Sequence, residues 1–148
     1  MLTNTTIEDD VRSALILDPR IPEPAEIAVS SEDGTVTLRG TVGSFNQRRA
    51  AVKDTREIDG VYEVHDELQV RLLDEARRED AEIRGISLQI LMWDIEVPSE
   101  SIDVKVEDGW ITLTGTVSYQ FESDAAFEDL ASLYGVFGIT NELKVITP

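Results

Sequence analysis

Apolar residues along the chain fall at two alternating spacings. Ile7, Val11, Ala14 and Leu15 recur at the interval of a helix face behind an acidic first turn (Glu8, Asp9, Asp10), and Asp18-Pro19 ends that helix. Ile21-Pro22-Glu23-Pro24 reads as extended connection. Ile27 and Val29 then alternate, Ser31-Glu32-Asp33-Gly34 turns, and Val36, Leu38, Gly40 and Val42 alternate again. That pattern predicts a β-hairpin with one buried face. Ser44-Phe45-Asn46-Gln47 fits a capping box, Ala51, Thr55 and Ile58 line a second helix, and Gly60 suits the left-handed position that would close it. Val61, Val64, Leu68 and Val70 mark a third strand whose imperfect alternation leaves its register open.

The same order then returns. Gly34-Thr35-Val36-Thr37-Leu38-Arg39-Gly40-Thr41-Val42 reappears 75 positions later as Gly109-Trp110-Ile111-Thr112-Leu113-Thr114-Gly115-Thr116-Val117, and Glu67-Leu68-Gln69-Val70 returns as Glu142-Leu143-Lys144-Val145. A constant shift through several elements marks a duplicated domain. In the second copy Ile83, Ile86 and Ile90 predict the first helix and Val97-Pro98 the connection. Ile102 with Val104, and Val106 to Val117, predict the hairpin; Ala126, Leu130 and Leu133 predict the second helix, and Val136 to Val145 the last strand. The expectation is α+β: two tandem α-β-β-α-β domains, 1–72 and 73–148, each with two helices on one sheet face. A parallel β-α-β step would cross over right-handed. Between the copies, Leu72 to Asp80 lacks Gly and Pro and is rich in helix formers, so it is expected to run into the second copy's first helix and fix the copies' relative orientation.

Composition narrows the function classes. The 148 residues contain no cysteine, which removes disulfides, thiolate metal sites and thiol catalysis. A net charge of −17 repels nucleic acid phosphates. Residues 1–78 hold ten basic and sixteen acidic side chains; residues 79–148 hold three and fourteen. The amino-terminal residues show no basic segment followed by an apolar one, so a cytoplasmic location is expected, or a periplasmic one if a leader has been removed. No apolar run approaches the roughly 20 residues of a spanning helix. Units this small bury modest cores, which leaves docking on each other, on a partner protein or as a homo-oligomer open.

The repeated residues resemble the BON domain, the bacterial osmotic-shock and nodulation family. The likeness rests on Asp33, Gly34, Val36, Leu38, Gly40, Val42, Ala50, Ala51, Gly60 and Val61. It rests equally on Asp108, Gly109, Ile111, Leu113, Gly115, Val117, Ala125, Ala126, Gly135 and Val136, with Asn141 fitting where the first copy has Asp66. The resemblance covers nearly the whole chain. It implies a three-stranded mixed sheet in each copy, and a non-enzymatic interaction module that attaches to phospholipid membranes or envelope complexes. It also implies a link to osmotic stress, and some relatives are cytoplasmic or linked to potassium.

Few residues suggest chemistry. Gly34, Gly40, Gly60, Gly109, Gly115 and Gly135 are read as shaping turns and close backbone approaches, since none belongs to a phosphate-cradling loop. Arg49, Lys53 and Arg56 share a helical stripe with Arg48 at its boundary, the one basic face in an acidic chain, where the second copy has Asp124, Glu128 and Ala131. A lipid headgroup or acidic partner would bind there; a plain solvated face is the competing reading. Seven of nine aromatics lie in the second copy: Trp93, Trp110, Tyr119, Phe121, Phe127, Tyr134 and Phe137. Trp110 replaces Thr35 and should point away from the core side of its strand, either as a membrane anchor or as an internal contact. His65 is a lone histidine and no carboxylate pair is placed at a reacting geometry, so no catalytic residue, cofactor or metal is expected. The competing function is a cation-responsive or stress-associated soluble protein acting through protein assembly.

Overall fold

The computed structural model describes residues 3–72, 77–133 and 135–147. It divides into two compact units, residues 1–71 and 72–148, each with the repeated element order. In the first unit α1 spans Asn4–Leu17, and a 3-10 turn leads to the hairpin β1 (Ile27–Glu32) and β2 (Thr35–Val42). Helix α2 (Phe45–Arg56) and strand β3 (Glu63–Val70) follow. In the second unit α3 is Asp80–Trp93, β4 Ile102–Glu107, β5 Trp110–Val117 and α4 Gln120–Ala131. The third strand there comes in two pieces, β6 (Gly138–Asn141) and β7 (Lys144–Val145), both parallel to β5.

Each unit is a mixed sheet in which the hairpin's second strand is central. β1 pairs antiparallel and β3 parallel to β2, and β4 and β6 flank β5 in the same senses. The first hairpin turns on Asp33 and Gly34, both in the left-handed region. Register places Ile27 and Val29, Val36 and Leu38, and Val64 and Leu68 on one face, beneath both helices. Ile7, Val11 and Leu15 of α1 and Ala50 and Ala51 of α2 close that core. Burying each large side chain there contributes about 1.5–3 kcal/mol.

Gly40 and Gly115 stand at φ +127 and +122, and a Cβ would overlap the carbonyl oxygen of Glu26 or Ser101. Glycine at these two sites lets the preceding connection cross close to the central strand. That connection is one residue shorter in the second copy, so the first helices are 76 residues apart and later elements 75.

Several expectations change. The acidic stretch Glu8 to Asp10 falls in the second turn of α1, because the helix starts at Asn4 and is capped by Thr3, whose side chain accepts from the Thr6 N–H at 3.1 Å. Gly60 does not close α2. That helix ends at Arg56, and Gly60 lies in the following turn, where Val61 N donates to Ile58 O at 3.2 Å. The buried stripe of α3 runs Ile83, Ser87, Leu91, leaving Ile86 and Ile90 half-buried. Ser87 is tolerated inside because its hydroxyl donates to the Ile83 carbonyl at 2.7 Å, as Thr55 does to Ala51 at 2.8 Å. The capping glutamine Gln47 reaches Gly43 N at 2.8 Å, one residue before the expected Ser44, while Ser44 caps Gln47 N as expected. Residues 77–79 are not helical and α3 begins at Asp80, so the junction does not extend that helix through Arg77; residues 73–76 lie outside the described ones, as does Tyr134.

Candidate functional site

The basic residues of α2 divide between two roles. Arg48 leans onto the sheet, where its Nε donates to Asp66 Oδ2 at 2.8 Å, both side chains 27% exposed. Arg49 is half-buried, and Lys53 and Arg56 are exposed one turn apart near the helix end. Cations suit that end, where the helix dipole is negative. In the second copy Asp124, Glu128 and Ala131 occupy the equivalent stripe, so the basic face is confined to the first unit.

At the same end of α2, Asp54 meets the residue that ends α1. The Asp18 carboxyl faces that of Asp54 across this joint, and Arg20 Nη2 reaches Asp18 at 2.8 Å and Asp54 at 3.4 Å. The last residues of α1, Ile16 and Leu17, are exposed beside this joint, Leu17 by 81%. Apolar Leu17 and basic Lys53 therefore each adjoin one member of the Asp18–Asp54 contact.

The same joint exists in the second unit between Asp94 and Asp129, with Glu96 where the first has Arg20. Hydrogen bonding to Arg20 holds Asp18 far below the usual carboxylate range. Burial, reinforced by Asp18, pushes Asp54 up to about 7. Asp94 is lowered by its bond with Asp129 and by the Glu96 N–H, whereas burial, then Asp94, pushes Asp129 up to about 7. Sequence reading missed these pairs. Their signal was the recurrence of an aspartate at both positions in both copies.

Trp110 does point away from the core. Its ring lies over Gly138, and its Nε1 donates to Thr140 Oγ1 at 2.7 Å, leaving it 40% exposed. The first copy carries Thr35 beside Glu63 in that place, so bulk has moved from one strand to the other. A second exposed apolar group was missed: Met92 and Trp93 close α3, and Ile95, 99% exposed, follows just beyond its end. Four apolar residues in Leu91 to Ile95, more than one helix face can bury, were the available sign. His65 sits on the exposed sheet face, 3.2 Å from Glu63. No group of three or more potential metal-ligating side chains occurs among the described residues, and no described helix is long and apolar enough to cross a membrane.

The family model described as the BON domain matches residues 3–71 and again residues 79–147. The chain belongs to the BON family. The resemblance carried by the repeated glycines and alternating strands is thereby borne out, as are the two α+β domains with mixed sheets. This BON protein is 33% identical over 148 residues to osmotically-inducible protein Y of Escherichia coli (strain K12), across 97% of this chain and 73% of that one. It is therefore related to an osmotically inducible protein. Among solved structures it is similar to CdsD, a structural protein of the type III secretion system of Chlamydia trachomatis. That likeness has a TM-score of 0.42 at 12% identity and covers 97% of this chain and 64% of that one. The CdsD C-terminal domain gives a TM-score of 0.41 at 10% identity, covering 98% and 100%.

Proposed function

We propose that this tandem BON protein is a non-enzymatic, stress-associated module that docks on anionic phospholipid surfaces through the α2 end of its first domain. One observation carries the reading: exposed Leu17 and Lys53 directly adjoin Asp18 and Asp54 at the joint of the two helices, with exposed Ile16 and Arg56 next along the same helix ends. Cations beside an apolar tip suit the boundary between headgroups and acyl chains, at about 1 kcal/mol per basic residue near an anionic surface. Arg49 flanks the patch. Arg48, held by Asp66, supports the helix from behind, and Trp110, held over Gly138, is left out of the contact. Adding vesicles of phosphatidylglycerol and phosphatidylcholine to isotope-labelled protein should broaden the amide signals of Leu17, Lys53 and Arg56 first. Broadening led by the second domain would contradict it.

A second reading, assembly with a protein partner, is favoured by Met92, Trp93 and Ile95, exposed in a stretch, residues 79–148, that holds three basic against fourteen acidic side chains. Concentration-dependent sedimentation abolished by Trp93→Ser with Ile95→Ser would support it; a monomer at all concentrations would remove self-assembly from it.

A further inference from the structure

The paired aspartates stand at the same joint in both domains, and the lipid contact proposed above does not use their chemistry. Asp18 and Asp94 end their helices, and their carboxylates accept the N–H of Arg20 and of Glu96, each at 2.9 Å. Those bonds favour the ionised form. Across the joint, Asp54 Oδ2 and Asp129 Oδ2 are buried and receive no N–H or hydroxyl donor. With all four groups ionised, two negative oxygens would meet with no donor between them. One proton on Asp54 or Asp129 converts that repulsion into a charge-assisted O–H···O bond to the ionised partner. The charged groups acting on the first pair are Arg20 and Glu57, and on the second Glu96.

We propose that Asp94 and Asp129 form a one-proton latch that ties the end of α3 to α4 and loosens when the proton leaves for solvent, with Asp18 and Asp54 forming the same latch, braced by Arg20, in the first domain. Asp129 binds its proton more tightly folded, with a midpoint of about 7 against 3.8 for the ordinary group. Its contribution is therefore complete below about 3.8 and is lost as the pH rises to about 7. The end it releases carries Met92 and Trp93.

The test is the pH dependence of the aspartate side-chain carboxyl ¹³C shifts in the full chain, with amide exchange in α3 and α4. Asp129 should titrate near neutrality. Exchange by unfolding of the second domain, corrected for its intrinsic rate, should quicken on the order of 100-fold between pH 5 and pH 8. Asp129→Asn, whose amide can donate to Asp94, should flatten that dependence in the second domain and leave the first unchanged. An Asp129 carboxyl that titrates below pH 5, or protection that does not fall as pH rises, overturns the latch. If the variant fails to fold, the wild-type titration decides alone.

Discussion

Arg48 and Asp66 form an ion pair at 2.8 Å whose place the second domain fills with a neutral one, Asn141 Nδ2 donating to Ser123 Oγ at 2.9 Å. Both acidic-or-amide residues also accept the backbone N–H two positions on, Leu68 at 3.0 Å and Leu143 at 3.1 Å. The duplicated scaffold thus keeps a polar bridge from the second helix to the third strand while its charge changes. Asp66→Asn alone leaves Arg48 half-buried without its carboxylate and should cost about 1–2 kcal/mol. Adding Arg48→Ser recreates the second domain's pair and should recover most of that loss. A double-mutant cycle in denaturant measures it, and additive costs would show the two sites to be independent.

Asp80, at the start of α3, accepts the Asp108 N–H at 2.8 Å and the Gly109 N–H at 2.9 Å, joining the helix start to the hairpin turn. Asn4 does this with a single bond, from Asp33 N at 3.2 Å. Asp80→Ala should therefore lower second-domain stability by about 1–2 kcal/mol, more than Asn4→Ala lowers the first. Residue-resolved hydrogen exchange separates the domains; equal losses would contradict the two-bond role.

At Gly115 any side chain meets the Ser101 carbonyl oxygen on a backbone at φ +122. Gly115→Ala should cost more than about 2 kcal/mol from strain and displacement together. Calorimetry on the variant checks it. An unchanged transition would mean that the connection can retreat freely.

The ring of Trp110 occupies the space a side chain at Gly138 would need. Gly138→Val should expel it, breaking the bond to Thr140 and moving its fluorescence to longer wavelength. With Trp93→Phe as background the signal belongs to Trp110 alone. An unshifted emission would show that the ring was not held there.

Local order was legible because each helix and strand declared itself through spacing, and duplication gave every element a second reading. The third strand was ambiguous for a specific reason: Asp66 occupies an inward position between Val64 and Leu68, and its partner Arg48 lies eighteen residues earlier on another element. Pattern reading assigns such a residue to the surface. The buried stripe of α3 was misplaced because Ser87 looks polar until its bond to Ile83 is seen. The basic stripe was visible as charge spacing, but its division between a supporting Arg48 and exposed Lys53 and Arg56 depends on the sheet beneath. Asp18 was read only as a helix end, since its contact with Asp54 spans two elements.

Co-sedimentation with phosphatidylglycerol vesicles at low and physiological salt tests the proposed membrane contact most directly. Wild-type protein should pellet with anionic vesicles and lose binding as salt rises. Lys53→Glu with Arg56→Glu should weaken it by at least about 30-fold, from about 1 kcal/mol per lost cation, while the same charge change at Arg71 and Arg84 should have a smaller effect. Vesicle binding unchanged by Lys53→Glu with Arg56→Glu, or no binding by the wild-type protein at low salt, would contradict the account.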